Sequence, residues 1–297
     1  MRSLRVTDVL VRFMTSFLRE VMTVVCYLTS IDSADMEIAF SNKRAALVIA
    51  HPGHELRVYQ WLRLTRPLCF VLTDGSGRAG KSRLDSTSRL LQQNGAGAGS
   101  IYGRLTDHSI YAAIIKGEFD LFIDLTAELA RELVREEIEY VVGDAIEGYN
   151  PAHDVCRLMI NAAVKIANRT GKHSISNFEI SLAPRATNYT EPELANAIWL
   201  DLDEDALARK QEAVNGYAEI APDVDRILER EGLRAIQKEF LRPVSTCIPC
   251  DGIIPEPPYY EIHGEKQVAA GHYDRVIRYR EHVNPLAKAL RQYTVGL

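Results

Sequence analysis

The sequence predicts an α/β protein built on a mostly parallel sheet flanked by helices, and three observations carry that expectation. Short, nearly uncharged apolar runs at residues 45–50 (AALVIA), 68–73 (LCFVLT) and 140–143 (YVVG) recur between longer helical stretches, as buried parallel strands do. Each run breaks into a polar, glycine- or proline-bearing loop: HPGHE, DGSGRAGKS and DAIEGYNPAHD. Finally, 297 residues with 46% hydrophobic and 25% charged side chains is ordinary globular composition with ample core.

Charge narrows the function classes. With 35 Lys and Arg against 40 Asp and Glu the net charge is −5. No basic footprint for nucleic acid is present, and a small-molecule partner is expected. The five cysteines, Cys26, Cys69, Cys156, Cys247 and Cys250, form no disulfide framework, which predicts reduced thiols in a cytoplasmic protein. Cys247 and Cys250 make a lone CxxC. A structural zinc site needs a second pair of similar spacing, and none lies nearby.

Residues 1–42 are expected to be an N-terminal helical extension to one domain over 43–297. Residues 6–28 are rich in Leu, Val, Met and Phe, but Arg12, Arg19 and Glu20 interrupt them. A bilayer-spanning helix needs about 20 residues nearly free of charge, so no stable membrane span is expected. Neither a compact apolar core nor a small-residue cleavage site marks a signal peptide. The expectation is an amphipathic helix docked on the body or on a second subunit, which leaves a homo-oligomer open.

The first strand ends in His51-Pro52-Gly53-His54-Glu55. Pro52 and Gly53 stop it, so His51 and His54 stand at its carboxyl end, where open α/β sheets place ligands. Two imidazoles and a carboxylate there make either a metal or acid–base cluster or a turn with two surface histidines. Residues 56–65 read as a helix closed by Pro67, and 68–73 as the second strand. The following GSGRAGKS, residues 75–82, fits the phosphate-loop pattern G-x-x-x-x-G-K-[ST] before a helical stretch at 83–93. On that alternative, Lys81 and backbone N–H groups cradle phosphates. Asp124, in a strand expected over 120–125, would then stand on the magnesium side. Against it, the loop follows the second strand rather than the first and leaves His51 and His54 without a task.

Residues 94–100 (NGAGAGS) read as a turn, 111–116 as part of a helix and 126–139 as an amphipathic helix with a solvated charged face. After the strand at 140–143 and a loop at 144–151, His153 precedes a helix over 155–168 on the same sheet edge as His51. A third histidine favours a metal site, because three protein ligands with an open fourth position make a hydrolytic zinc centre. The alternative for His153 alone is a polar residue near a helix cap.

A strand ending in AHPGHE, a strand ending in LTDG, and then a strand, a loop and NPAHD opening a helix together resemble the PIG-L/LmbE family of zinc-dependent N-acetylglucosaminyl deacetylases. Ala208-Arg209-Lys210-Gln211-Glu212-Ala213 with Tyr217 is similar to that family's lysine-and-tyrosine helix, and Glu239-Phe240 to its late segment. The resemblance runs over residues 45–240 and implies a Rossmann-like fold with zinc at the strand ends. It implies hydrolysis of an N-acyl group from an amino sugar or related small metabolite. It also accounts for Asp74-Gly75 without a nucleotide. His51, His54 and His153 are the implied metal ligands, with zinc as the default and iron, nickel or cobalt as other metals that suit histidine donors.

The departures from the pattern are specific. The family's AHPDDE supplies a general base and a zinc-binding Asp where this chain has Gly53 and His54. Its HPDH motif becomes NPAH, so Asn150 stands where a histidine helps stabilise the oxyanion, and His153 keeps the ligand position. The catalytic candidates are therefore Glu55, Asp74 and Asp154 as carboxylates near the site, and Asn150 as an amide donor. Farther on, the C-terminal part supplies Glu261, His263, Glu265, His272 and His282; of these, His263, Glu265 or His272 is either a replacement for the base in a pocket wall or, like the others, a surface or lid residue. Two other readings stay open: a metalloprotein with non-hydrolytic chemistry or binding alone, and the phosphate-loop enzyme.

Overall fold

A computed structural model describes residues 40, 42–182, 197–232, 236–244 and 256–296. The expected N-terminal helix, Cys26 and the Cys247/Cys250 pair lie outside the described residues, whereas Cys69 and Cys156 are buried free thiols. At the entrance to the domain, Phe40 packs edge-on against Tyr140 and Phe178, with centroids at 5.1 and 6.4 Å.

Alternation along the first strand, β1 (Ala45–Ile49), explains the layering. Ala46, Val48 and Ala50 point into one buried cluster, and Ala45, Leu47 and Ile49 into another. With both faces apolar, the strand must be covered on both sides. Its neighbours are β2 (Leu68–Thr73) and β4 (Tyr140–Asp144), both parallel to it, with Val48 opposite Phe70 and Gly143. Outside these lie β3 (Gly97–Leu105) beside β2, and β5 (Ser176–Ile180) beside β4. The antiparallel strands β7 (Lys238–Pro243) and β6 (Ile198–Asp201) finish that edge. The order β3-β2-β1-β4-β5-β7-β6 is that of a Rossmann-like sheet, mostly parallel.

One helical layer holds α1 (Tyr59–Thr65), α2 (Leu84–Gln93) and α6 (Glu204–Asn215). The other holds α3 (Asp107–Lys116), α4 (Phe119–Arg135), α5 (Pro151–Thr170), α8 (Tyr259–Ala269) and α9 (Asn284–Gly296). A short helix, α7 (Ala221–Glu231), follows α6. No described helix is long and apolar enough to cross a membrane.

Two sequence expectations are corrected. The strand expected at 120–125 is part of α4, because Phe122, Leu125, Leu129 and Leu133 continue one helical stripe into the core. The strand slot is filled instead by β3, whose first residues, Gly97 to Ser100, had read as a turn. Glycine there is a packing requirement: a side chain on Gly99 would meet the buried Phe70 ring at 2.4 Å.

Candidate metal centre

The chain passes from β1 to β2 and β3 on one side and then crosses to β4 on the other. The crevice beyond the carboxyl ends of β1 and β4 is therefore the topological switch point, where open α/β sheets bind ligands. His51 and His54 reach it from β1, and His153 from α5, which starts after β4. Gly53 makes the turn between the first two, with φ +106° and ψ −20°, and a 3₁₀ segment at His54–Val58 follows it. Asn150 caps α5 by accepting the Ala152 N–H at 2.8 Å, and Pro151 occupies the first turn. This cap places His153 on the first turn, facing the β1 loop.

The three imidazoles pack together edge to face, with ring centroids at 5.4 Å (His51–His54), 5.0 Å (His51–His153) and 4.6 Å (His54–His153). Each of the first two is held from behind. His51 Nδ1 lies 2.8 Å from Thr73 Oγ1 and 2.9 Å from Asp107 Oδ1, and Thr73 donates to the same Asp107 oxygen at 2.6 Å. His54 Nδ1 lies 3.0 Å from both oxygens of Asp144, a fully buried residue that also accepts the Ala50 N–H at 2.7 Å. Burial raises the Asp107 carboxyl, but the hydrogen bonds from His51, Thr73 and the Gly77 N–H and the nearby His51 charge outweigh it and hold it well below the usual range. Burial, reinforced by repulsion from His54 and His51, pushes His153 well below its ordinary value, so it is neutral.

Among the described residues, no group of three or more His, Cys, Asp or Glu side chains forms a ready-made metal cage. The donor chemistry nevertheless fits a transition metal. His51 Nε2 and His153 Nδ1 are buried without a hydrogen-bond partner, a costly state for polar atoms. Carboxylates behind two of the three rings fix the Nδ1–H tautomer, as metal-binding histidines require. His51, His54 and His153 are the residues that could hold such an ion.

The other sequence candidates are placed less directly. Glu55 is fully buried with both oxygens engaged: they accept the Gly53 N–H at 2.7 Å and the Thr87 hydroxyl at 2.8 Å. Burial raises its carboxyl to about 7. Asp74 Oδ1 accepts the backbone N–H groups of Ser76 and Asp107. Asp154 Oδ1 accepts those of Glu147 and Gly148, while Oδ2 is buried without a partner. Burial lifts this carboxyl too, to about 7. The Asn150 amide donates to Tyr111 Oη at 3.0 Å. In the C-terminal part, Glu261 and Glu265 hold Arg278, and the Arg278 N–H donates to His282 Nδ1. His263 stacks on Tyr259, and His272 is exposed.

The phosphate-loop alternative loses its geometry. That motif puts its Lys and Ser at the first turn of the following helix, yet α2 begins at Leu84, and Lys81 and Ser82 are exposed residues of the preceding coil. Asp124 is an exposed residue of α4, not a strand end.

Sequence reasoning missed Thr73, Asp107 and Asp144. Asp107 lies 56 residues from His51, and Asp144 90 residues from His54. The one available signal was an acidic residue closing the apolar run YVVGD. Lys210 and Glu239, matched by resemblance, pair at 2.8 Å in the interior, and Glu239 also accepts the Gln60 and Trp61 N–H groups, both at 2.9 Å.

No protein-family model matches the sequence, and no curated protein matches it. Among solved structures, a deacetylase triple mutant involved in the teicoplanin biosynthetic pathway is 12% identical, with 68% of this chain and 98% of that one covered at a TM-score of 0.44. A likeness of that size identifies neither residues nor substrate.

Proposed function

We propose that this protein is a divergent PIG-L/LmbE-like, metal-dependent hydrolase that removes an N-acyl group from an amino sugar or related small metabolite. The observation that carries the proposal is the trio of imidazoles at the switch point, two of them backed by buried carboxylates. Bound zinc supplies Lewis-acid activation of water and of the acyl carbonyl. Asp107 with Thr73 holds the Nδ1 proton of His51, and Asp144 that of His54, so that each ring offers its Nε2 lone pair. Asn150, at the amino terminus of α5, is the donor for a developing oxyanion. Glu55 has both oxygens engaged and braces the Gly53 turn. The proton carrier is then Asp74 or Asp154, whose Oδ2 atoms are not spent on the bonds described above.

The test is elemental analysis of wild type, His51→Ala, His54→Ala and His153→Ala, followed by a panel of N-acyl substrates. About one equivalent of transition metal lost in all three variants, with amine release by wild type, is the expected result. In the proton carrier, Asp→Asn lowers kcat by about 10²–10⁴-fold without loss of metal. A second reading, metal binding without hydrolysis, is favoured by one feature: Gly53 provides no carboxylate at the base position. Metal-loaded protein that hydrolyses nothing on the panel would select it.

A further inference from the structure

On the helical face carrying α1, α2 and α6 lies a cleft of ≈ 840 Å³ that shares no residue with the histidine centre. Arg66 and Gly95 sit just before β2 and β3, so the cleft extends toward the amino-terminal edge of the sheet, opposite the edge that carries His51. Its walls hold four guanidinium groups, Arg63 from α1, Arg66 after it, Arg89 from α2 and Arg209 from α6, against one lining carboxylate, Glu212.

None of the four forms an ion pair with a described carboxylate. Arg63 is bonded to Gln60 at 3.1 Å and Arg89 to Ser86 at 3.0 Å. Glu219, which accepts from Ser86 at 2.9 Å, lies near Arg89. Arg209 Nε is buried without any partner. Two carboxylates beside four permanent cations leave a local positive excess on a molecule whose net charge is −5. Arginine stays charged at any pH the protein meets, and its planar fork matches phosphate oxygens. Gathering such groups around a concave surface costs repulsion that an anionic ligand relieves.

We infer that this cleft is a second binding site, for a small molecule carrying a phosphate or pyrophosphate group. Its volume suits a ligand of nucleotide size.

The experiment is calorimetric titration of the full-length protein with inorganic pyrophosphate and, separately, with a nucleoside diphosphate, at low and at high ionic strength. Saturable binding that weakens with salt is expected, and Arg89→Ala and Arg209→Ala each weaken it by about tenfold or more. Because pyrophosphate chelates metal ions, the titration is repeated on His51→Ala, where binding is expected to persist. Tighter binding of the nucleoside diphosphate assigns the rest of the cleft to the nucleoside, and equal binding assigns the site to the phosphates alone; either supports the inference. Circular dichroism of the arginine variants confirms that they fold, and Arg63→Lys, which keeps the charge, gives a milder loss. No saturable binding at low salt would overturn the inference. So would binding unchanged in both arginine variants, or binding lost in His51→Ala.

Discussion

Gly53 turns the chain with φ +106°, and a Cβ there would lie 3.1 Å from Ile220 Cδ1. Gly53→Ala therefore meets both backbone strain and a buried neighbour, and is expected to lower stability by about 1–3 kcal/mol in urea unfolding. The same strain applies to Gly53→Asp, which is expected to destabilise the turn as well. Behind the imidazoles, Asp144→Asn replaces a two-oxygen acceptor that serves His54 Nδ1 and the Ala50 N–H. Metal affinity is expected to fall by about 10–100-fold, with the fold retained. Competition with a chromogenic chelator measures it, and an unchanged affinity would remove Asp144 from the centre.

At the scale of elements, the buried pair Lys210–Glu239 ties α6 to β7, and through the Gln60 and Trp61 N–H groups to α1. Lys210→Met leaves the Glu239 charge buried and without its cation. Such a change typically costs about 3–5 kcal/mol, read as a lower denaturant midpoint. Replacing Glu239 instead strands the two backbone donors as well, so Glu239→Leu is expected to cost at least as much. Arg157 does similar work at the other face: fully buried, it donates to the carbonyl groups of Asp144 and Phe178 and to Asn177 at 2.8 Å. It thus holds the end of β4, and with it the Asp144 side chain behind His54. Gly143 leaves room for this, since a Cβ there would meet Val48 O at 2.4 Å and Arg157 Nη2 at 3.2 Å.

For the whole molecule, the proposed metal would bind only the folded state and link the end of β1 to the start of α5, which lie far apart in sequence. At a free-ion concentration about 100 times Kd it adds about 2.7 kcal/mol, equivalent to roughly 5–10 °C in Tm for a domain of this size. Dialysis against a chelator is expected to lower Tm by that amount, and zinc to restore it, in wild type but not in His153→Ala. A Tm indifferent to chelator would count against the centre as read.

The sequence by itself determined β1, β2 and β4, because their apolar runs bury both faces, and it placed His51 and His54 at the end of the first strand and His153 at the start of a helix on the same sheet edge. Local pattern sufficed for these. It failed where the pattern is ambiguous at short range: LFIDL, residues 121–125, is strand-like alone and helical only within the longer stripe of α4. Gly97–Ser100 is turn-like until Phe70 is seen to fill the space over Gly99. Only the tertiary structure decided which carboxylates stand behind which imidazoles and that both Glu55 oxygens are taken up by Gly53 and Thr87. It alone gathered Arg63, Arg66, Arg89 and Arg209 around one cleft. Those relations join residues distant in the chain, and they exist only once the sheet order brings the strand ends and helix faces together.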